Sequence, residues 1–184
     1  YKLVLFQFCS ISHIKQRKSL LTLEHINNIH IDSLTVAHVT INQNIIYVAS
    51  TISLQINHCI FTHVAPYQNI AENYSLANIN NAQNLFIENS NFSESFDPAL
   101  TIANCLRIQI KLNVFSNIMS GISEGIVLVY LGANMYKKGG AIQVKSCRFV
   151  SCSASVIKMK QQYDDNNQQQ DKNINNIGSK RDQY

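Results

Sequence analysis

Tryptophan is absent from this 184-residue chain, proline occurs only twice and glycine only six times. With so few of the usual turn formers, chain reversals must be made by other residues. Charge is also scarce. Charged residues make up 14% of the sequence, against roughly a quarter in typical soluble domains. The net charge of +4 is mild, and its one cluster is Lys15, Arg17 and Lys18 beside His13. Nucleic-acid binders spread Lys and Arg along one face, often with stacking aromatics; no such stripe exists here, so nucleic acid is not an expected partner. The five cysteines (Cys9, Cys59, Cys105, Cys147 and Cys152) are odd in number and lack C-x-x-C spacing. That argues against a zinc framework or a dense disulfide scaffold and for small buried apolar groups. No secretory signal is visible. The longest apolar run, Gly125 to Ala133, is far short of the ~20 residues that span a bilayer.

What is abundant is isoleucine, with 24 residues, and asparagine, with 22. Isoleucine favours strands. Asparagine suits tight corners, because it tolerates left-handed backbone angles and hydrogen-bonds its own turn. Along the chain one short pattern returns: apolar, any, apolar, four residues, then a closing apolar residue that is usually Phe. It reads Tyr1-x-Leu3…Phe8, Ile29-x-Ile31…Val36, Leu54-x-Ile56…Phe61, Leu85-x-Ile87…Phe92, Ile108-x-Ile110…Phe115 and Ile142-x-Val144…Phe149. The closing residues are 28, 25, 31, 23 and 34 apart, a period that marks a solenoid. Each repeat holds a second short β-branched run, such as Ile45 to Val48 or Ile126 to Val129, bounded by Asn, Ser or Gly as a buried strand would be.

These features predict an all-β, right-handed parallel β-helix solenoid of about five coils over residues 1–158, and a polar low-complexity tail or linker over 159–184. Because the chain opens at Tyr1 inside a repeat, a piece of a longer solenoid is expected, flanked by further coils or domains of the same polypeptide. The predicted columns are the closing residues (Phe8, Val36, Phe61, Phe92, Phe115, Phe149), then Ile11, Val39, Val64, Ser95, Ile118 and Cys152 three positions later. Two positions earlier run Phe6, Leu34, Cys59, Ser90, Asn113 and Cys147. A leucine-rich-repeat solenoid is the alternative, since Leu85-x-Ile87-x-x-Ser90-x-Phe92 fits its core. It requires a helical second element, whereas the second runs here are β-branched.

Gly139-Gly140-Ala141-Ile142 followed by Cys147-Arg148-Phe149-Val150-Ser151-Cys152 resembles the GGA-I and F-x-x-N repeats of polymorphic outer-membrane-type proteins, within the pectin-lyase-like class. The Asn/Ile/Gln-rich composition is similar to that of repeat-bearing surface proteins of ciliate protists. The resemblance implies a secreted or cell-surface setting, in which the chain could be the ectodomain of a membrane protein. It also brings polysaccharide cleavage into consideration.

Catalysis of that kind needs paired carboxylates or clustered acidic calcium ligands. The N-T-D and G-H-G motifs of polygalacturonase-like enzymes are missing. Asp164-Asp165 falls in the polar tail, and Arg107-Ile108-Gln109-Ile110-Lys111 matches R-I-K only superficially. Asp32 and Glu88 share an outward column, but Asn57 stands between them. His38, His63 and Glu94 occupy equivalent places in consecutive repeats, where zinc could be held; an ordinary polar face is the simpler expectation. His13, His25, His30 and His58 show no repeat-matched partners. No catalytic, cofactor or metal residue is therefore assigned. Asn73 and Asn91 open N-x-S sequons usable in a secreted chain. The expected role is a non-catalytic structural or binding module, adhesion-like, with glycans or other proteins as partners; a polysaccharide lyase or glycoside hydrolase is the alternative.

Overall fold

The computed structural model describes residues 2–16, 18–66, 75–96, 98–119, 125–132, 139–152 and 156–161. Strands occupy Leu3–Gln7 (β1), Ser10–Ser12 (β2), Lys15–Gln16 (β3), Leu21–Glu24 (β4), Asn28–Asp32 (β5), Thr35–Ile41 (β6), Ile46–Asn57 (β7) and Ile60–Pro66 (β8). They continue as Ala77–Glu88 (β9), Asn91–Phe96 (β10), Leu100–Ala103 (β11), Arg107–Lys111 (β12), Val114–Met119 (β13), Val127–Leu131 (β14), Ala141–Lys145 (β15), Arg148–Val150 (β16) and Ile157–Gln161 (β17). The fold is all-β, its sheets are parallel, and no helix occurs among the described residues. The helical second element that a leucine-rich repeat needs is therefore not found there, because β-branched runs such as Val127 to Val129 lie in strands.

The strands form three parallel ladders. The first joins β4, the first half of β7, the first half of β9, β11, β14 and β17. The second joins β1, β5, the second halves of β7 and β9, β12 and β15. The third joins β2, β6, β8, β10, β13 and β16. The long strands β7 and β9 bend between ladders, which merges the first two into one ten-stranded sheet. Steps between ladders are regular. The second and third ladders start seven residues apart in every circuit, from Leu3 and Ser10 to Ala141 and Arg148. The first and second also start seven apart, from Leu21 and Asn28 onward; the last circuit alone needs fourteen, from Val127 to Ala141. The return from the third ladder to the first varies, from nine residues (Asn91 to Leu100) to seventeen (Ile60 to Ala77).

Three corners of the circuit are each marked by a left-handed residue. One corner runs Ser33, His58, Asn89, Leu112 and Ser146, with φ of 50–56°. A second runs His13, His38, His63, Glu94, Asn117 and Ser151, with φ of 51–57°. A third runs His25, Ser50, Asn81 and Asn104, with φ of 54–57°. An L-residue costs about 1–2 kcal/mol in this conformation, and Asn and His are the non-glycine types that tolerate it best. This explains how a chain with six glycines turns so often. Leu112 and Glu94 have no such tolerance, and neither does Phe8 at φ 51°.

The interior is a stack of aliphatic and aromatic columns. Phe61, Phe92 and Phe115 are fully buried, and the rings run in near-parallel stack through Phe149 at centroid distances of 5.2, 5.0 and 4.9 Å. Offset aromatic contacts at this range add to simple burial. The ladder register gives the expected closing column from Val36 to Phe149 and the column three positions later from Val39 to Ile118. It corrects the first repeat. Ile11, not Phe8, stands on Val36, and Val4 and Phe6, not Tyr1 and Leu3, stand on Ile29 and Ile31. Phe8 is 82% exposed. The pattern fits both frames, and Phe8 favoured the wrong one; three residues is an odd step, so it also exchanges inward for outward positions.

The interior also carries one polar line. Ser90 and Asn113, both buried, follow Cys59 in the column two before the closing residue. Cys59 N–H donates to Ser90 Oγ (3.1 Å), Ser90 N–H donates to Asn113 Oδ1 (2.9 Å), and Asn113 Nδ2 donates to the Ile87 carbonyl (2.8 Å). Ser90 Oγ in turn donates to the Glu88 carbonyl (2.9 Å). These side chains satisfy backbone groups left unpaired where the chain leaves the second ladder, which is the condition for burying them. All five cysteines are free thiols, and Cys59 and Cys105 are buried. Burial raises both pKa values, that of Cys105 to about 11.

Candidate functional site: an outward histidine column

The second corner places its side chains outside the core. Ser12 pairs with Ala37, and Ala37 with Thr62, so the residues that follow, His13, His38 and His63, fall in line. The His13 and His38 rings stack with centroids 5.2 Å apart, and the His38 and His63 rings lie 4.4 Å apart, tilted by 30°. His63 Nε2 contacts a carboxylate oxygen of Glu94 in the next strand. On its other side, Nδ1 of the same ring lies 3.0 Å from Thr62 Oγ1. The result is a row of three imidazoles ending in a hydroxyl–imidazole–carboxylate group. It can hold and pass a proton, or hydrogen-bond a polar partner. The His63 and Glu94 side chains are 50% and 40% exposed, so water competes for every contact and the ion pair is worth at most about 1 kcal/mol.

His38, His63 and Glu94 thus come together as their spacing indicates, and His13 joins them. The expectation that His13 lacks a partner is corrected: the three-residue register shift in the first repeat had moved it out of the column. His58 also has a partner. Its Nδ1 lies 3.1 Å from Asp32 Oδ1 in the preceding circuit, and Asn89, one circuit later at the same corner, donates from Nδ2 to Asn57 Oδ1 at 3.1 Å. The outward column expected of Asp32, Asn57 and Glu88 is observed, and it continues through Lys111 and Lys145. In it Lys111 Nζ lies 3.9 Å from Glu88 Oε1, so neighbouring charges pair with each other rather than gather around a cation. Beside it runs His30, Gln55, Phe86, Gln109, Gln143, where Gln109 Nε2 donates to Gln143 Oε1 at 2.6 Å. Among the described residues no three of His, Cys, Asp and Glu are grouped to hold a metal ion, and no helix is long and apolar enough to cross a membrane.

The two sequons fare differently. Asn73, with Asp164 and Asp165, lies outside the described residues. Asn91 begins β10, paired on both sides by Ile60 and Val114, and its Oδ1 is buried without a hydrogen-bond partner. That is a strand position rather than the loop a glycosylation sequon favours.

No family model, curated protein or solved structure matches the chain.

Proposed function

We propose that this chain is a right-handed parallel β-helix segment, of the pectin-lyase-like kind, acting as a non-catalytic binding module in a larger surface or secreted protein. Glycans or other proteins are its partners. The handedness follows from the near-universal right-handed crossover between parallel strands. The observation that carries the binding role is the corner column, in which His13, His38, His63 and then Glu94 repeat one outward position in successive circuits. Circuits of parallel strands repeat at about 4.8 Å. An extended partner lying along the column therefore meets the same donor and acceptor group several times, and weak contacts add through multivalency.

A polysaccharide-cleaving enzyme is the second reading. It is favoured by the Asp32–His58 and His63–Glu94 contacts, each of which sets a carboxylate beside an imidazole, the residue types that general acid–base chemistry uses. One experiment separates the two. The purified chain is applied to a glycan array, and in parallel is incubated with uronic-acid polymers, with and without calcium, while reducing ends and unsaturated products are followed. Retention that weakens in His38→Asn and His63→Asn, without turnover, supports the binding module. Turnover abolished by Asp32→Asn or Glu94→Gln overturns it.

A further inference from the structure

We infer that the outward face around Leu112 docks on an anionic lipid surface, with Leu112 entering the headgroup layer while Lys111, Lys145 and Arg148 meet lipid phosphates. The inference rests on charge and corner geometry and is independent of the histidine column. The mild net charge conceals a segregation. Residues 98–161 carry eight of the fifteen Lys and Arg but only one of the eleven Asp and Glu, Glu124. The ladders gather part of this charge on one face. The outward column that carries Asp32 and Glu88 in earlier circuits carries Lys111 and Lys145, in register with each other, in later ones. Arg107 shares the outward side of β12 with Lys111, and Arg148 opens β16 three residues after Lys145. Like charges directly opposite each other in a ladder are destabilising. Glu88, 3.9 Å away, relieves Lys111. Among the described residues Arg107, Lys145 and Arg148, all exposed, have no ion-pair partner. An anionic surface supplies the missing countercharge.

Leu112 is flanked by these cations. Its corner is held by Ser33, His58, Asn89 and Ser146 in the other circuits, all of them polar. Leu112 alone is apolar there, 56% exposed and at φ 53°. A lone exposed leucine is ordinary, but a leucine in left-handed backbone is strained as well. Its exposure is lateral and owes nothing to an end of the stack. The Leu112 N–H donates to the Lys145 carbonyl on one side (3.1 Å), and the Lys111 carbonyl accepts from the Asn89 N–H on the other (3.1 Å). Strain kept at an exposed position points to a use for the side chain. A soluble polyanion engages the cations and gains nothing from the leucine. A bilayer with anionic headgroups rewards both, through apolar burial at the interface and attraction between phosphate and cation.

The strained corner supplies a test in which fold and binding move in opposite directions. The full chain is floated with vesicles of phosphatidylcholine alone or mixed with phosphatidylserine, at low and high salt. Circular dichroism establishes that each variant folds. The unaltered chain is expected to bind the mixed vesicles, to leave the neutral ones, and to lose affinity as salt rises. Lys145→Gln and Arg148→Gln should each weaken that binding about fivefold at low salt, the equivalent of about 1 kcal/mol per charge near the surface. Lys18→Gln removes the same charge elsewhere and should leave binding unchanged. Leu112→Asn should stabilise the fold, because Asn tolerates the left-handed corner, yet weaken vesicle binding about fivefold through the lost apolar contact. Failure of the unaltered chain to bind the mixed vesicles overturns the inference. So does vesicle binding that Leu112→Asn leaves intact, or that Lys18→Gln weakens as much as Lys145→Gln. Dextran sulfate is the parallel probe: retention on it, equal for the unaltered chain and Leu112→Asn and without vesicle binding, assigns the face to a soluble polyanion and also overturns it.

Discussion

Removing one ring from the phenylalanine column tests both the core and its register. Phe92 is fully buried between Phe61 at 5.2 Å and Phe115 at 5.0 Å, with ring planes within 11° and 9° of parallel. A Phe→Ala change in a core costs about 3–5 kcal/mol, and each aromatic contact adds ~0.5–1.5 kcal/mol. With two such contacts, Phe92→Ala should fall at the upper end of that range, about 4–5 kcal/mol. Phe149 has one ring neighbour, at 4.9 Å, and is only partly buried; its loss should cost about half as much, roughly 2–3 kcal/mol. Phe8, 82% exposed, should cost no more than about 0.5 kcal/mol. Urea unfolding of the full chain, followed by circular dichroism, gives the ranking. Should Phe92→Ala not fold, Phe92→Leu keeps the comparison. A Phe8→Ala cost equal to that of Phe92→Ala would refute the register of the first circuit, and a Phe92→Ala cost below about 1.5 kcal/mol would refute the stacked column.

Leu112, 56% exposed at φ 53°, should be improved by Asn or Gly; a gain of about 1 kcal/mol in the same urea assay is expected. Asn113→Leu strands the Ser90 N–H and the Ile87 carbonyl and should cost about 2–5 kcal/mol despite adding an apolar group. Alkali should act through Cys105: burial holds the folded thiol to about 11 against the ordinary 9.0, so the unfolded state loses its proton first. The stability concerned is complete below pH 9 and falls away between pH 9 and about 11, by about 2–3 kcal/mol in all; unfolding midpoints of the parent chain and Cys105→Ala across that range measure it. A double-mutant cycle on His63 and Glu94, both substantially exposed, should give a coupling below about 1 kcal/mol.

The strands and the inward columns were legible because burial leaves a periodic signature. From Val36 to Phe149 the apolar-x-apolar pair and its closing residue occupy the places the register gives them. The first circuit was misread because two frames three residues apart both satisfy the pattern, and the true one closes on Ile11 rather than on a Phe. The histidine row was half legible for the same reason, since finding His13 in it requires that frame. Other signals were of a kind that apolar periodicity does not carry. Histidine at a left-handed corner reads as an ordinary polar residue unless its place in the circuit is known. The Ser90–Asn113 line shows only that two polar residues stand in a mixed column, not that they satisfy the backbone.

The constant seven-residue steps have a consequence for how such a chain can change. From Leu21 through Asn28 to Thr35, and again from Ile46 through Ser53 to Ile60, fourteen residues lead from the first ladder to the third without slack. A residue added there would turn the inward side chains outward as far as the next return. The returns from the third ladder to the first carry no such constraint, and they already differ by up to eight residues. Growth by insertion is thereby concentrated at one seam, the fourteen-residue step from Val127 to Ala141 in the last circuit being the exception. Whatever sequence is added leaves and re-enters the molecule along that line. The histidine corner lies within the third ladder, a few residues before the seam, so loops can lengthen and diversify beside it while the core keeps its count.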